Sequence, residues 1–170
     1  MTRAVTAQPL TREAFTAFGD VLDTDWPNHF SINSGKCERY HDLARVEAAG
    51  PNARVLVSLF KATPYAFPLE IGMVERHPFG SQAFMPLSPA PFLVVVCPDG
   101  PEGPGAPHAF VTAPGQGVNY RRNTWHAVLT PIGAPQDFLV VDRGGDGSNL
   151  EEFFFDAPCE VRLPEAVTGD

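Results

Sequence analysis

Short runs rich in β-branched and aromatic residues, each broken by proline or glycine, set the pattern of hydrophobic and polar positions in this chain. Arg54 to Lys61, Leu69 to His77, Gln82 to Met85, Phe92 to Cys97, His108 to Thr112, Trp125 to Leu129, Asp137 to Asp142 and Glu152 to Phe155 read as strands. Turn-formers such as Pro98-Asp99-Gly100-Pro101 and Pro114-Gly115-Gln116-Gly117 separate them. The 18 prolines and 15 glycines leave little room for long helices. This pattern predicts a mainly β barrel or sandwich, in one domain over residues 1–170, rather than a βαβ sheet. One short helix is expected near the start. Thr11 can cap Arg12 to Phe18, Leu10 and Phe15 take the staple positions, and Gly19 ends the helix, where a positive φ carries no steric cost. A weaker helical pattern covers Asp42 to Ala49, and Pro98 to Pro107 reads as one long surface loop.

Along Leu69 to His77 the alternation carries chemistry. With a period of two, Glu75 and His77 continue the face of Leu69, Ile71 and Met73. A carboxylate and an imidazole on a buried face are costly unless paired or bound. A second cluster, Val118-Asn119-Tyr120-Arg121-Arg122-Asn123-Thr124-Trp125-His126, follows a glycine-rich turn, with His126 and Val128 sharing one face. In a closed barrel His126 would meet Glu75 and His77. Two histidines with a carboxylate or the Gln82 amide would suit Fe, Ni, Mn or Zn with open positions. The competing reading is a hydrogen-bonded network at the barrel mouth, with Glu75 paired to His or Arg. A third cluster, Ile32 to Asp42, packs donors, acceptors and aromatics together as ligand loops do, and as solvated loops also do. Val140-Val141-Asp142-Arg143-Gly144-Gly145 ends a buried-looking strand, and Phe153 to Phe155 suit a core or dimer contact.

Composition narrows the setting. A net charge of −8 without a Lys/Arg run argues against nucleic acid as partner, while leaving a small anionic substrate possible. Three widely spaced cysteines, Cys37, Cys97 and Cys159, argue against a disulfide framework. Cys97 sits in an apolar strand and reads as a buried, inert thiol. The N-terminus lacks an apolar signal core, and the longest apolar run, Phe92 to Cys97, is too short to cross a bilayer. A soluble cytoplasmic protein is expected. No dinucleotide, P-loop or serine-hydrolase motif occurs.

Taken together, these clusters resemble the ureidoglycolate lyase family, formerly called ureidoglycolate hydrolase. The matching pieces are Ile32-Asn33 with Gly35, Glu38 to Ala44, Glu75-Arg76-His77-Pro78, Gly80 with Gln82-Ala83-Phe84, Gly117 to Tyr120, Trp125-His126 and Asp142 to Gly145. They fall in the family's order across most of the chain. Ala127 and Arg121 depart from it, since histidine is common in the family at both places. The resemblance implies a cupin-like β-barrel or jelly roll, a homodimer, and release of urea from ureidoglycolate to leave glyoxylate, late in allantoin breakdown. It also implies a divalent metal, nickel being the one associated with the family. On that footing Glu75, His77 and His126 are expected as catalytic residues, with His77, Gln82 and His126 holding metal or substrate oxygens. Arg39 is expected to clamp the carboxylate, with Gln82, Asn33 and Tyr120 among the substrate ligands. Arg76 alternates to the opposite strand face and is held apart. An amidohydrolase on the same substrate, giving ammonia and carbon dioxide, is the alternative enzyme, and a non-catalytic sensor of a small carboxylate is the alternative outside enzymes.

Overall fold

The computed structural model describes residues 3–168, so two residues at each end of the expected 1–170 span lie outside it. The first stretch supplies β1 (Arg3–Thr6), β2 (Gln8–Pro9), helix α1 (Arg12–Phe15), β3 (Gly19–Leu22), β4 (His29–Ile32) and β5 (Cys37–Tyr40). The middle holds β6 (Arg54–Ala62), β7 (Leu69–Arg76), β8 (Gln82–Pro86) and β9 (Phe92–Cys97). A small ribbon, β10 (Asp99–Gly100) with β11 (Gly103–Pro104), interrupts the expected loop before β12 (His108–Val111) and β13 (Gly117–Tyr120). Two short strands, β14 (Trp125–His126) and β15 (Thr130–Pro131), precede β16 (Gln136–Gly144), β17 (Glu151–Arg162) and α2 (Glu165–Thr168).

Two sheets organise these elements. The larger runs β1-β17-β7-β14-β9-β12-β2, with β15 also on β9. Because only Ala7 separates β1 from β2, one continuous segment pairs with β17 at one end of the sheet and β12 at the other. The sheet therefore curls into a nearly closed barrel, which satisfies its edges. A five-stranded sheet, β3-β13-β8-β16-β6, packs against it. Strand β9 shows why the expected apolar run is continuous. Leu93, Val95 and Cys97 enter one core cluster, while Phe92, Val94 and Val96 enter the other, so both faces are covered. The cluster between the sheets also takes Phe84, Val118, Phe138 and Val140 from the five-stranded sheet. The fold is mainly β with a barrel, as expected.

Four local expectations change. Helix α1 stops at Phe15, shorter than the expected Arg12 to Phe18, although Thr11 does accept from the Ala14 N–H at 3.2 Å. Gly19 has the expected positive φ, 159°, but opens β3 beyond the helix end; a side chain there would strike the Asn119 carbonyl oxygen where β3 lies against β13. Asp42 to Ala49 is not helical. It crosses the outer face of the five-stranded sheet, where its backbone is held by Asp20, Asn119 and Ser81 side chains and by a bridge from Ala48 to Gly80. Those bonds replace the ones a helix would have supplied. The last change touches the site. Leu69 and Ile71 join the same cluster as Val74, so the alternation slips near Gly72, opposite an irregularity in β17 between Phe154 and Cys159. Glu75 therefore faces away from that apolar row instead of continuing it.

Candidate active site and metal centre

Glu75 on β7 and His126 on β14 are direct partners in the antiparallel ladder, which puts their side chains side by side in the space between the sheets. His77 follows β7 immediately and turns the same way, its Nε2 lying 3.9 Å from Glu75 Oε1. One ligand atom from each of the three residues lies within 4.8 Å of the others. Gln82, at the start of β8, brings its Oε1 to 3.2 Å from His77 Nε2. Residues from three strands and one connection thus converge.

Hydrogen bonding fixes which atoms are presented. His77 Nδ1 lies 2.8 Å from the Asn149 carbonyl, and His126 Nδ1 lies 2.9 Å from the Ala127 carbonyl. A carbonyl oxygen only accepts, so each Nδ1 carries the hydrogen and each Nε2 keeps a lone pair in the neutral ring. His126 Nε2 is buried without a hydrogen-bond partner. Gln82 is oriented by donating its Nε2–H to Asp142 Oδ2 at 3.3 Å, which turns Oε1 toward His77. Two imidazole lone pairs, an amide oxygen and a carboxylate therefore face one another with no donor among them. That is the environment of a cation: two imidazoles and a carboxylate form a common set for a divalent transition metal, and the backbone carbonyls orient the ligands from behind. The residues present fit such an ion.

Burial shapes the titration of these groups. It raises the Glu75 pKa, an effect opposed by His77 and reinforced by Glu152. Burial pushes His126 down to about 3 despite the Ala127 carbonyl, and His77 lowers it further, so this imidazole is neutral at ordinary pH. Tyr120 stacks on His126 with ring centroids 4.2 Å apart and planes 3° from parallel. Burial, then the Glu75 carboxylate, raises its phenol well above the usual value, so it stays a neutral donor. A cleft of about 360 Å³ opens onto the group; Glu75, Gln82 and His126 line it with an apolar wall of Phe60, Phe84, Val128 and Leu129. A larger hollow of about 470 Å³ beside Lys61 and Asp137 is lined by none of the converging residues.

Of the residues singled out from sequence, Glu75, His77, Gln82, Tyr120 and His126 come together. Asn33 and Arg39 do not join them within one chain. They lie on the β4–β5 hairpin, an exposed two-stranded ribbon whose strands pair only with each other. Neither shares a hydrogen bond or ion pair with the cluster among the described residues. Arg76 points the other way, onto the Trp125 ring, Asp99 and Glu151, as its strand parity requires. Two participants escaped the sequence reading. The Asn149 carbonyl orients His77 from 72 positions away, and a backbone carbonyl leaves no compositional signal. Asp142 was visible at a strand end, but its hold on Gln82 depends on β16 pairing with β8.

The family model for ureidoglycolate lyase matches residues 2–162. This chain belongs to the ureidoglycolate lyase family. Relatives bearing the family's name include a protein of Mesorhizobium japonicum, 71% identical over 96% of this chain and 100% of its own length. One of Chelativorans sp. is 63% identical over 96% of this chain and 99% of its own. A ureidoglycolate lyase 2 of Rhizobium meliloti is 58% identical over 91% of this chain and 94% of its own.

Proposed function

We propose that this protein is a ureidoglycolate lyase, which cleaves ureidoglycolate to glyoxylate and urea in allantoin breakdown. The reading rests on family membership together with one observation. A half-buried carboxylate of raised proton affinity stands beside two imidazoles whose Nε2 atoms are open, in a cleft large enough for a small molecule.

Ureidoglycolate carries a hydroxyl, a carboxylate and the ureido nitrogen on one carbon. Glu75 takes the hydroxyl proton; the O–H electron pair becomes the second bond of the new carbonyl as the C–N bond breaks. The departing nitrogen accepts a proton, so the net change moves one hydrogen from oxygen to nitrogen and yields glyoxylate and urea. Glu75, once protonated, is the nearest acid able to return that proton. Its raised pKa suits both halves of this shuttle. Neutral His126, with His77 beside it, presents Nε2 to a substrate hydroxyl or to the metal, and Gln82 Oε1 lies next to them. Tyr120 keeps the His126 ring in place and remains a donor. A divalent cation, nickel in this reading, would be held by His77, Gln82 and His126, leaving Glu75 free as the base, and would supply Lewis acidity that makes the substrate hydroxyl easier to deprotonate.

The proposal includes a cytoplasmic location and a homodimer. All three cysteines are free, as suits a reducing compartment, and no helix among the described residues is long and apolar enough to cross a membrane. The test is a product assay on purified protein, with and without chelator, followed by metal analysis. Stoichiometric urea with glyoxylate is expected, and chelation is expected to abolish it. Early ammonia would replace the lyase with an amidohydrolase. Binding of glyoxylate without any turnover of ureidoglycolate would leave only a sensor.

A further inference from the structure

Among the described residues, the active site of a single chain has no cationic side chain free to receive the substrate's carboxylate. Lys61 is the cation lining the cleft, and its ammonium is exposed and paired with Asp137 at 2.9 Å. Arg143 is spent on the Ala49, Pro51 and Asp146 carbonyls, Arg122 on Pro78, and Arg76 on Glu151 and Asp99. Arg39 is the reverse case. It forms no ion pair or hydrogen bond among the described residues, and the Phe30 ring at 5.9 Å is its aromatic contact. Its β4–β5 hairpin pairs with no other strand, and a lone two-stranded ribbon is marginal in water unless it packs on something.

A second anomaly lies on the outer face of the five-stranded sheet. Directly paired residues share a face, so Val57 with Val141, and Leu59 with Leu139 and Met85, form apolar rows across β6, β16 and β8. An antiparallel sheet facing water should be polar on that side. Instead Val57 is 69% exposed and Leu59 68%, on an edge strand whose other side has no strand partner among the described residues. An apolar face of this kind is complementary to a copy of itself, as a two-fold contact requires.

The topology connects the two anomalies. The hairpin springs from the β3 side of the sheet: His41, at its base, is followed by Arg45, whose N–H reaches Asp20 on β3. The cleft opens at the opposite side, beside Phe60 and Ala62 of β6. If two copies pack these outer faces about an axis running along the strands, the β3 side of each lies over the β6 side of the other. We propose that this protein is a face-to-face dimer in which Arg39 on the hairpin of one copy reaches into the cleft of the other, supplying the carboxylate clamp that the single chain lacks. A guanidinium is suited to hold a carboxylate by two parallel hydrogen bonds. The inference rests on the proposed function for the identity of the carboxylate and for the homodimer, and adds the partner's Arg39 to the site.

Complementation between two inactive variants tests the shared site. Arg39→Ala and Glu75→Gln each lower urea release by about a hundredfold or more. Co-expressed with different tags and purified as the mixed dimer, each molecule should regain one intact site: the Arg39→Ala chain keeps Glu75 and receives Arg39 from its partner. Mixed dimers with about half the wild-type turnover per dimer are expected. Mixed dimers as inert as their parents would overturn the proposal, because Arg39 would then act within its own chain. A Leu59→Lys variant should be monomeric by light scattering, retain its β-sheet circular dichroism and lose turnover. A folded monomer with wild-type turnover would equally overturn it. Wild-type dimers that release no urea sink the lyase reading itself, whereas active wild type with inert mixed dimers sinks the shared site alone.

Discussion

His77, His126 and Gln82 are each held by a second residue, and the two kinds of position should respond differently to substitution. Glu75 is the proton carrier, so Glu75→Gln is expected to cut urea release by about a hundred- to ten-thousandfold with the thermal midpoint of unfolding little changed. Near-normal turnover would remove Glu75 from the mechanism. Asp142 acts on Gln82, whose amide it orients across 3.3 Å. Asp142→Ala frees that amide, and divalent-metal affinity should fall by about ten- to a hundredfold in competition with a chelating dye. Arg76→Ala, on the opposite face of β7, should leave metal affinity unchanged; a similar loss in both variants would mean that Asp142 merely supports the fold. At this scale the sequence was informative about type and weak about orientation. It marked Glu75, His77 and His126, yet the reason offered for Glu75, an apolar row through Ile71, does not hold because β7 slips near Gly72. Such a slip answers extra residues in β17, a strand that joins β7 only in the folded chain.

Among the elements, β3 and the crossover from His41 to Pro51 carry the clearest consequences. Gly19 sits where the backbone of β13 leaves no space for a side chain. Gly19→Ala should therefore destabilise the fold by about 1–3 kcal/mol, measured by denaturant titration, through displacement of β3 and with it Tyr120 on the adjoining strand. A neutral result would show that β3 yields at no cost. The long core strands were legible, because runs such as Phe92 to Cys97 and Asp137 to Asp142 are apolar enough to need cover on one or both faces. The β4–β5 hairpin and the two-residue strands were not. Short edge strands carry little periodicity, and their pairing is decided by partners distant in the chain. The Asp42 to Ala49 segment shows the same limit, since the side chains that hold it extended are the acceptors of Asp20 and Ser81 and the donor amide of Asn119.

For the whole molecule, the buried neutral imidazole of His126 predicts a pH dependence of stability. Its pKa is held near 3 in the folded protein against an ordinary 6.5. As pH falls below about 6.5 the unfolded chain takes up a proton that the folded one refuses, so stability should drop steadily from there toward about pH 3. Glu75 opposes part of this. With its pKa raised above 4.5, the folded state protonates first in the carboxylate range and recovers some stability. Denaturant midpoints of metal-free protein between neutral pH and pH 4 should show the decline, and His126→Asn should flatten it. A flat profile in the parent protein would contradict the burial of that ring. The sequence by itself determined the mainly β class, the family, and the residue types able to take a proton or grip a cation, because composition and short motifs travel with the chain wherever it folds. Only the tertiary structure decided that Glu75 and His126 would be ladder partners, which ring nitrogen each histidine presents, and that Arg39 would stand apart from them. Those outcomes depend on strand register and on backbone carbonyls from remote segments, which exist only once the sheets have closed.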